Sequence, residues 1–177
     1  MNYNNMNLKC LTKSQNYWLH NVERLSQSLR ENFSNWNIKL HYFGLMVATD
    51  EESLCLENTK KDKCYGRLIS HNLGTETFIL GKVIMTHETY IAFKDKLDSL
   101  SSRSIGDELL FIDPMYRLKF SVDILEKKSL SFLNLLKEKG LYALIPDRIL
   151  VRNSLFVSKI DQNNKILVNE YFLKDIY

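Results

Sequence analysis

The run Ile166-Leu167-Val168-Asn169-Glu170-Tyr171-Phe172-Leu173 constrains the fold of this chain most. It has the length of a strand, and its apolar residues fall on both faces of a two-residue period, so it reads as a largely buried strand. Glu170 is the charged residue inside it, and a carboxylate there needs a partner. Either it sits at an edge or pairs with a nearby Arg, or burial favours its neutral form, able to donate a proton or hold a substrate hydroxyl in a dry pocket. Arg67, in Tyr65-Gly66-Arg67-Leu68-Ile69, poses the same question. It is either an exposed strand residue or a bidentate clamp on a carboxylate, which guanidinium geometry suits better than an ammonium does. An interior Arg and an interior Glu in one sheet would give one pocket both an anion anchor and an acid.

The rest of the chain supplies material for such a sheet. Runs rich in β-branched and aromatic residues predict strands over 38–47, 64–71, 77–86, 117–125, 148–159 and 165–173. Asn72-Leu73-Gly74 and Asp161-Gln162-Asn163-Asn164 read as the turns of two hairpins. Trp18, Val22, Leu25 and Leu29 recur at steps of four, three and four, which predicts a helix over 15–33. Tyr90, Phe93, Leu97 and Leu100 predict a second, ended by the Ser-rich piece 99–104, and 130–139 a third, stopped by Gly140. Hairpin-linked strands with helices at the start and in the middle describe an α+β domain, a single antiparallel sheet flanked by helices.

With 177 residues the chain is of one-domain size, and it divides into a flexible segment 1–14 and a folded domain 15–177. The net charge of +3 comes from basic residues spread along the chain, which asks for no nucleic acid. Cys10, Cys55 and Cys64 form no C-x-x-C pair and read as reduced thiols. No run approaches about 18 apolar residues and the Asn-rich start has no signal-peptide character, so the expectation is a cytoplasmic monomer without membrane insertion. Nucleotide-binding, zinc-protease and nucleophile-elbow motifs are absent, and His20, His41, His71 and His87 lack ligand spacing, so no metal is assigned.

Six pieces in order resemble the chorismate lyase family, from about Trp18 to the C-terminus. They are Trp18-Leu19 leading into 24–29, Tyr65-Gly66-Arg67-Leu68-Ile69, Ile79-Leu80-Gly81-Lys82-Val83-Ile84-Met85, the segment 104–111 beginning Ser104-Ile105-Gly106, Arg152-Asn153-Ser154-Leu155-Phe156, and Asn169-Glu170-Tyr171-Phe172-Leu173. Lys82 stands where the family usually has Arg, and Leu68 where an acidic residue often follows the arginine.

The resemblance implies a chorismate lyase-like fold with an enclosed ligand pocket under mobile flaps, and no metal or organic cofactor. It implies cleavage of chorismate to 4-hydroxybenzoate and pyruvate, the first step of quinone (ubiquinone) head-group supply. Arg67 would bind the ring carboxylate and Glu170 would face the para oxygen, as the two catalytic residues. Leu25 and Ile105 fall at the remaining ligand-contact positions, where backbone N–H groups and apolar side chains close the pocket. The competing reading is a non-catalytic small aromatic-acid binding module, because this kind of fold also resembles the effector-binding domains of some transcription regulators. Such domains normally carry an attached DNA-binding domain, for which residues 1–15 are too short. In a third reading Glu170 and Arg67 simply pair in the core of a structural protein.

Overall fold

The computed structural model describes residues 11–58 and 63–176. Six strands, β1 Trp36–Met46, β2 Cys64–Leu73, β3 Glu76–Thr86, β4 Met115–Glu126, β5 Arg148–Ser158 and β6 Lys165–Phe172, form one sheet in the order β1-β2-β3-β6-β5-β4. Every neighbouring pair is antiparallel, so this is the α+β architecture the strand runs predict. The apolar C-terminal run is β6, paired on one side with β3 and on the other with β5, and Glu170 is its one residue that is not fully buried. Of the segment 1–14, residues 1–10 lie outside the described residues, as does Cys10, and Thr12 caps the first helix through the amide of Gln15.

The register fixes two faces. Arg67 pairs with Val83, Val83 with Val168 and Val168 with Ser154, while Glu170 lies between Gly81 and Arg152. Alternation therefore puts Arg67, Ile69, His71, Gly81, Val83, Val168, Glu170, Arg152, Ser154 and Phe156 on one face, here the front. Two apolar clusters cover it. One gathers Met85, Leu97, Leu109 and Ile166, and the other Trp18, Leu19, Leu25, Leu29, Ile79 and Phe172. The back carries Leu68, Leu80, Leu136, Val151 and Tyr171 in one cluster and Ile84, Leu155 and Leu167 in another.

The helices depart from the simplest reading of the periodicity. Instead of one helix over 15–33 there are α1 Lys13–Asn16, a π-helical turn Tyr17–Asn21 and α2 Leu25–Asn32, separated by Val22 in an extended conformation. Arg152 supplies the cause, since its Nη1 donates to the carbonyls of Trp18, at 3.0 Å, and Val22, at 2.7 Å. A continuous helix would need those two oxygens for its own N–H groups. The buried guanidinium competes for them, and the apolar stripe survives because Trp18, Val22, Leu25 and Leu29 all still reach one cluster. After β1 comes α3 Asp50–Cys55. The second expected helix starts at His87, where Thr86 caps it, and is divided at Phe93 into α4 His87–Ala92 and α5 Lys94–Ser99. The last, α6 Leu133–Glu138, ends at Gly140, whose φ of +70° suits glycine.

Lys82 belongs to the back face. It is fully buried, and its Nζ donates to Glu52 Oε1 at 2.5 Å and to Ser131 Oγ at 3.3 Å. Asn169 reaches the same carboxylate oxygen, and Glu52 Oε2 accepts the Thr49 amide at the start of α3, so this pair fastens α3 to the sheet. Removing one member of a buried pair leaves an uncompensated charge. Lys82→Ala should therefore destabilise the domain by about 3–5 kcal/mol, seen as a lower urea midpoint. A loss within about 0.5 kcal/mol, the range of surface substitutions, would show that the pair is not an anchor.

Candidate ligand cavity

Between the two front clusters lies a cavity. Its floor is the centre of the sheet, Ile69, His71, Gly81, Val83, Ser154, Phe156, Val168 and Glu170. Gly81 keeps this floor open, because a Cβ there would come within 2.9 Å of Ile69 Cγ1. The roof has two parts, residues 23–26 leading into α2 and residues 104–111 around the π-helical turn Gly106–Leu110. Arginines bridge the two parts and the edge strand. Arg24 donates to the Phe111 carbonyl at 3.4 Å, Arg30 meets Asp107 at 3.1 Å, and Arg117 Nη2 donates to the Glu23 carbonyl at 2.7 Å. These bonds are partly solvent-exposed, and such links contribute little each. The cavity is partly open and its volume is about 50 Å³. That holds a few waters and is well below the roughly 150 Å³ of a cavity that takes benzene, so an aromatic ligand requires the roof to spread.

Glu23, Asp107 and Glu170 bring carboxylates to this lining, yet not every donor that faces it finds a partner. Arg117 Nε and Ser154 Oγ are buried without a hydrogen-bond partner among the described residues, and both residues line the cavity. Burial, reinforced by the Arg152 charge and opposed by Glu170 and Glu23, lowers the Arg117 pKa. Arg67 Nη1, on the same sheet face, is a third buried atom without a partner. At the roof, α2 begins at Leu25 without a side-chain cap for its first amides. The one carboxylate in the floor, Glu170, already accepts Arg152 Nε at 2.5 Å. Beside it His71 is buried neutral, its pKa pushed down to about 4 chiefly by desolvation, with Arg67 and Arg152 adding to the drop and Glu170 opposing it. Among the described residues no group of three or more His, Cys, Asp or Glu could hold a metal ion.

Of the residues singled out by sequence, Leu25, Ile105 and Glu170 do line the cavity. Arg67 is buried on the same face but is not a lining residue. Its Nη2 donates to the carbonyls of Ser101, at 2.6 Å, and Arg103, at 2.8 Å, so it holds the chain that enters the roof at Ser104. Burial lowers its pKa to about 10, and no carboxylate pairs with it among the described residues. The partner of Glu170 is Arg152, not Arg67. Sequence reasoning passed over His71, Ser154 and Arg117. For His71 the signal was present, since a strand that turns Arg67 inward turns residues 69 and 71 inward as well.

No protein-family model and no curated protein matches the sequence. Solved structures do share the fold. The C-terminal domain of PhnF has a TM-score of 0.59 over 84% of this chain and 89% of that one, at 12% identity. The C-terminal domain of the histidine utilization repressor from Pseudomonas syringae pv. tomato gives 0.56 over 77% and 90%, at 12% identity. The ligand-binding domain of a protein described as a GntR-family transcriptional regulator from Bordetella bronchiseptica gives 0.53 over 80% and 85%, at 8% identity. These likenesses carry a fold, of the chorismate lyase-like type, and no activity.

The lyase expected from the resemblance is corrected, because the solved structures similar to this chain include domains of a repressor and of a GntR-family transcriptional regulator, and none of those named is described as a lyase. The quinone-supply role falls with it. Each expected catalytic residue has another partner in the structure: Glu170 accepts from the Arg152 guanidinium, and Arg67 Nη2 donates to two carbonyls.

The state of His71 gives a pH signature. The unfolded chain takes up its proton near pH 6.5 and the fold refuses it until about pH 4. The His71 contribution is thus complete above pH 6.5 and is lost as the pH falls towards 4, on the order of 3 kcal/mol in all. Urea unfolding of the wild type minus that of His71→Leu should show this loss between pH 7 and 4; equal pH dependence in both proteins would place the imidazole in water.

Proposed function

We propose that this chain is a non-catalytic, cytoplasmic effector-binding domain that takes a small organic anion, of the aromatic-acid class, into the front cavity to inform a transcription regulator. The observation that carries the reading is the surplus of donors: Arg117 Nε, Ser154 Oγ and, on the same face, Arg67 Nη1 are buried and unsatisfied. Buried donors without acceptors are costly, so a site of this kind is complete when an oxyanion occupies it. In this reading Arg117, Ser154 and the open amides at the start of α2 hold the carboxylate, while Leu25, Ile105, Val83 and Phe156 cover the ring. Arg67 adds its charge and positions the 104–111 roof. The regulator setting is supported by the kind of protein to which the similar solved domains belong.

Ser154→Ala separates this role from a structural one. The hydroxyl has no partner to lose, so stability should stay within about 0.5 kcal/mol of wild type. Titration calorimetry with 4-hydroxybenzoate should give one site per chain, weakened roughly three- to tenfold by the substitution, the worth of one hydrogen bond. Absence of binding at millimolar ligand, or release of pyruvate from chorismate, would contradict the reading.

A further inference from the structure

Trp36, on β1, donates its Nε1–H to His71 Nδ1 at 3.3 Å, and the two rings stack with centroids 6.0 Å apart and planes 18° apart. An indole nitrogen is only a donor, so Nδ1 must be the acceptor and the proton of the neutral imidazole must sit on Nε2. That N–H has no acceptor among the described residues, although His71 is 4% exposed and lines the cavity. Glu170 shares the same floor, and Gly81 places no side chain between β6 and Ile69, the neighbour of His71 on this face. The cavity floor thus carries both a fixed N–H donor and a carboxylate whose charge Arg152 already offsets.

We infer that His71 is a specificity-determining residue of this cavity. Its Trp36-fixed Nε2–H selects ligands that bring an oxygen to this floor, with a hydroxylated acid preferred over one carrying an ammonium group. A hydroxyl accepts from His71 Nε2–H and donates to Glu170, leaving both satisfied. An ammonium has no lone pair for the imidazole N–H and meets a carboxylate already paired with Arg152, and a bare ring satisfies neither. Sites built to hydrogen-bond a hydroxyl reject analogues that lack it, because the site's own polar groups then stay unpaired.

This inference rests on the anion-binding reading, and benzoate, 4-hydroxybenzoate and 4-(aminomethyl)benzoate as probes tell the two apart. Calorimetry on the wild type should place 4-hydroxybenzoate tightest, benzoate about tenfold weaker and the ammonium compound weaker again. In His71→Leu the first two should come within about twofold of each other, and His71→Gln, which keeps an N–H donor, should restore part of the preference. Independently of any ligand, the imidazole nitrogen signals of His71 in NMR spectra should report the Nε2–H tautomer near neutral pH. A proton found on Nδ1, or a hydroxyl preference untouched in His71→Leu, would overturn the inference while leaving anion binding intact. Failure of all three acids to bind the wild type would overturn the anion-binding reading and the inference with it.

Discussion

The guanidinium of Arg152 is the interaction on which the rest of the domain is arranged. It is 1% exposed, lies on the second strand from the edge, and reaches across the front face to three groups: Glu170 through Nε, and the carbonyls of Trp18 and Val22 through Nη1. A buried charge is tolerated only when paired and hydrogen-bonded, and these bonds meet that condition. Taking the two carbonyls out of a helical ladder stops the first helix at Val22 and lets α2 start afresh at Leu25, pointed at the cavity. The same residue therefore offsets the floor carboxylate, fixes the N-terminal segment to the sheet and sets the position of half the roof.

Once Glu170 is paired, the remaining charge balance of the front face becomes positive. Arg67 and Arg117 are partly or wholly removed from water without carboxylate partners among the described residues, and burial lowers the pKa of both. The apolar walls make the surroundings poorly polarisable, which strengthens the attraction between a guanidinium and an anion brought against it. The space under the roof holds little more than water, and the arginine links that hold the roof are partly exposed, so in the proposed reading ligand entry and roof opening would be one event.

Much of the fold was legible from local pattern. The apolar run ending at Leu173 and the β-branched runs before it gave the strands to within a few residues, because period-two burial in an antiparallel sheet is a local property. The helix over 15–33 was misjudged at Val22 because its interruption comes from a side chain more than a hundred residues away. The same non-locality hid the partner of Glu170: the strand order that sets β5 beside β6 decides between Arg152 and Arg67, and neither residue type nor spacing reveals it. Leu25, Ile105 and Glu170 were placed by resemblance, whereas Ser154 and Arg117 give no sequence signal, since what distinguishes them is an unsatisfied atom.

The central claim, that unsatisfied donors in the front cavity are completed by an oxyanion, is tested most directly by a crystal structure of the protein grown with 4-hydroxybenzoate. The account predicts the ligand beneath a spread roof, its carboxylate within hydrogen-bond distance of Arg117 Nε and Ser154 Oγ, and the Arg152–Glu170 pair unbroken. A ligand bound elsewhere, or a cavity that stays closed over water at saturating concentration, would contradict it.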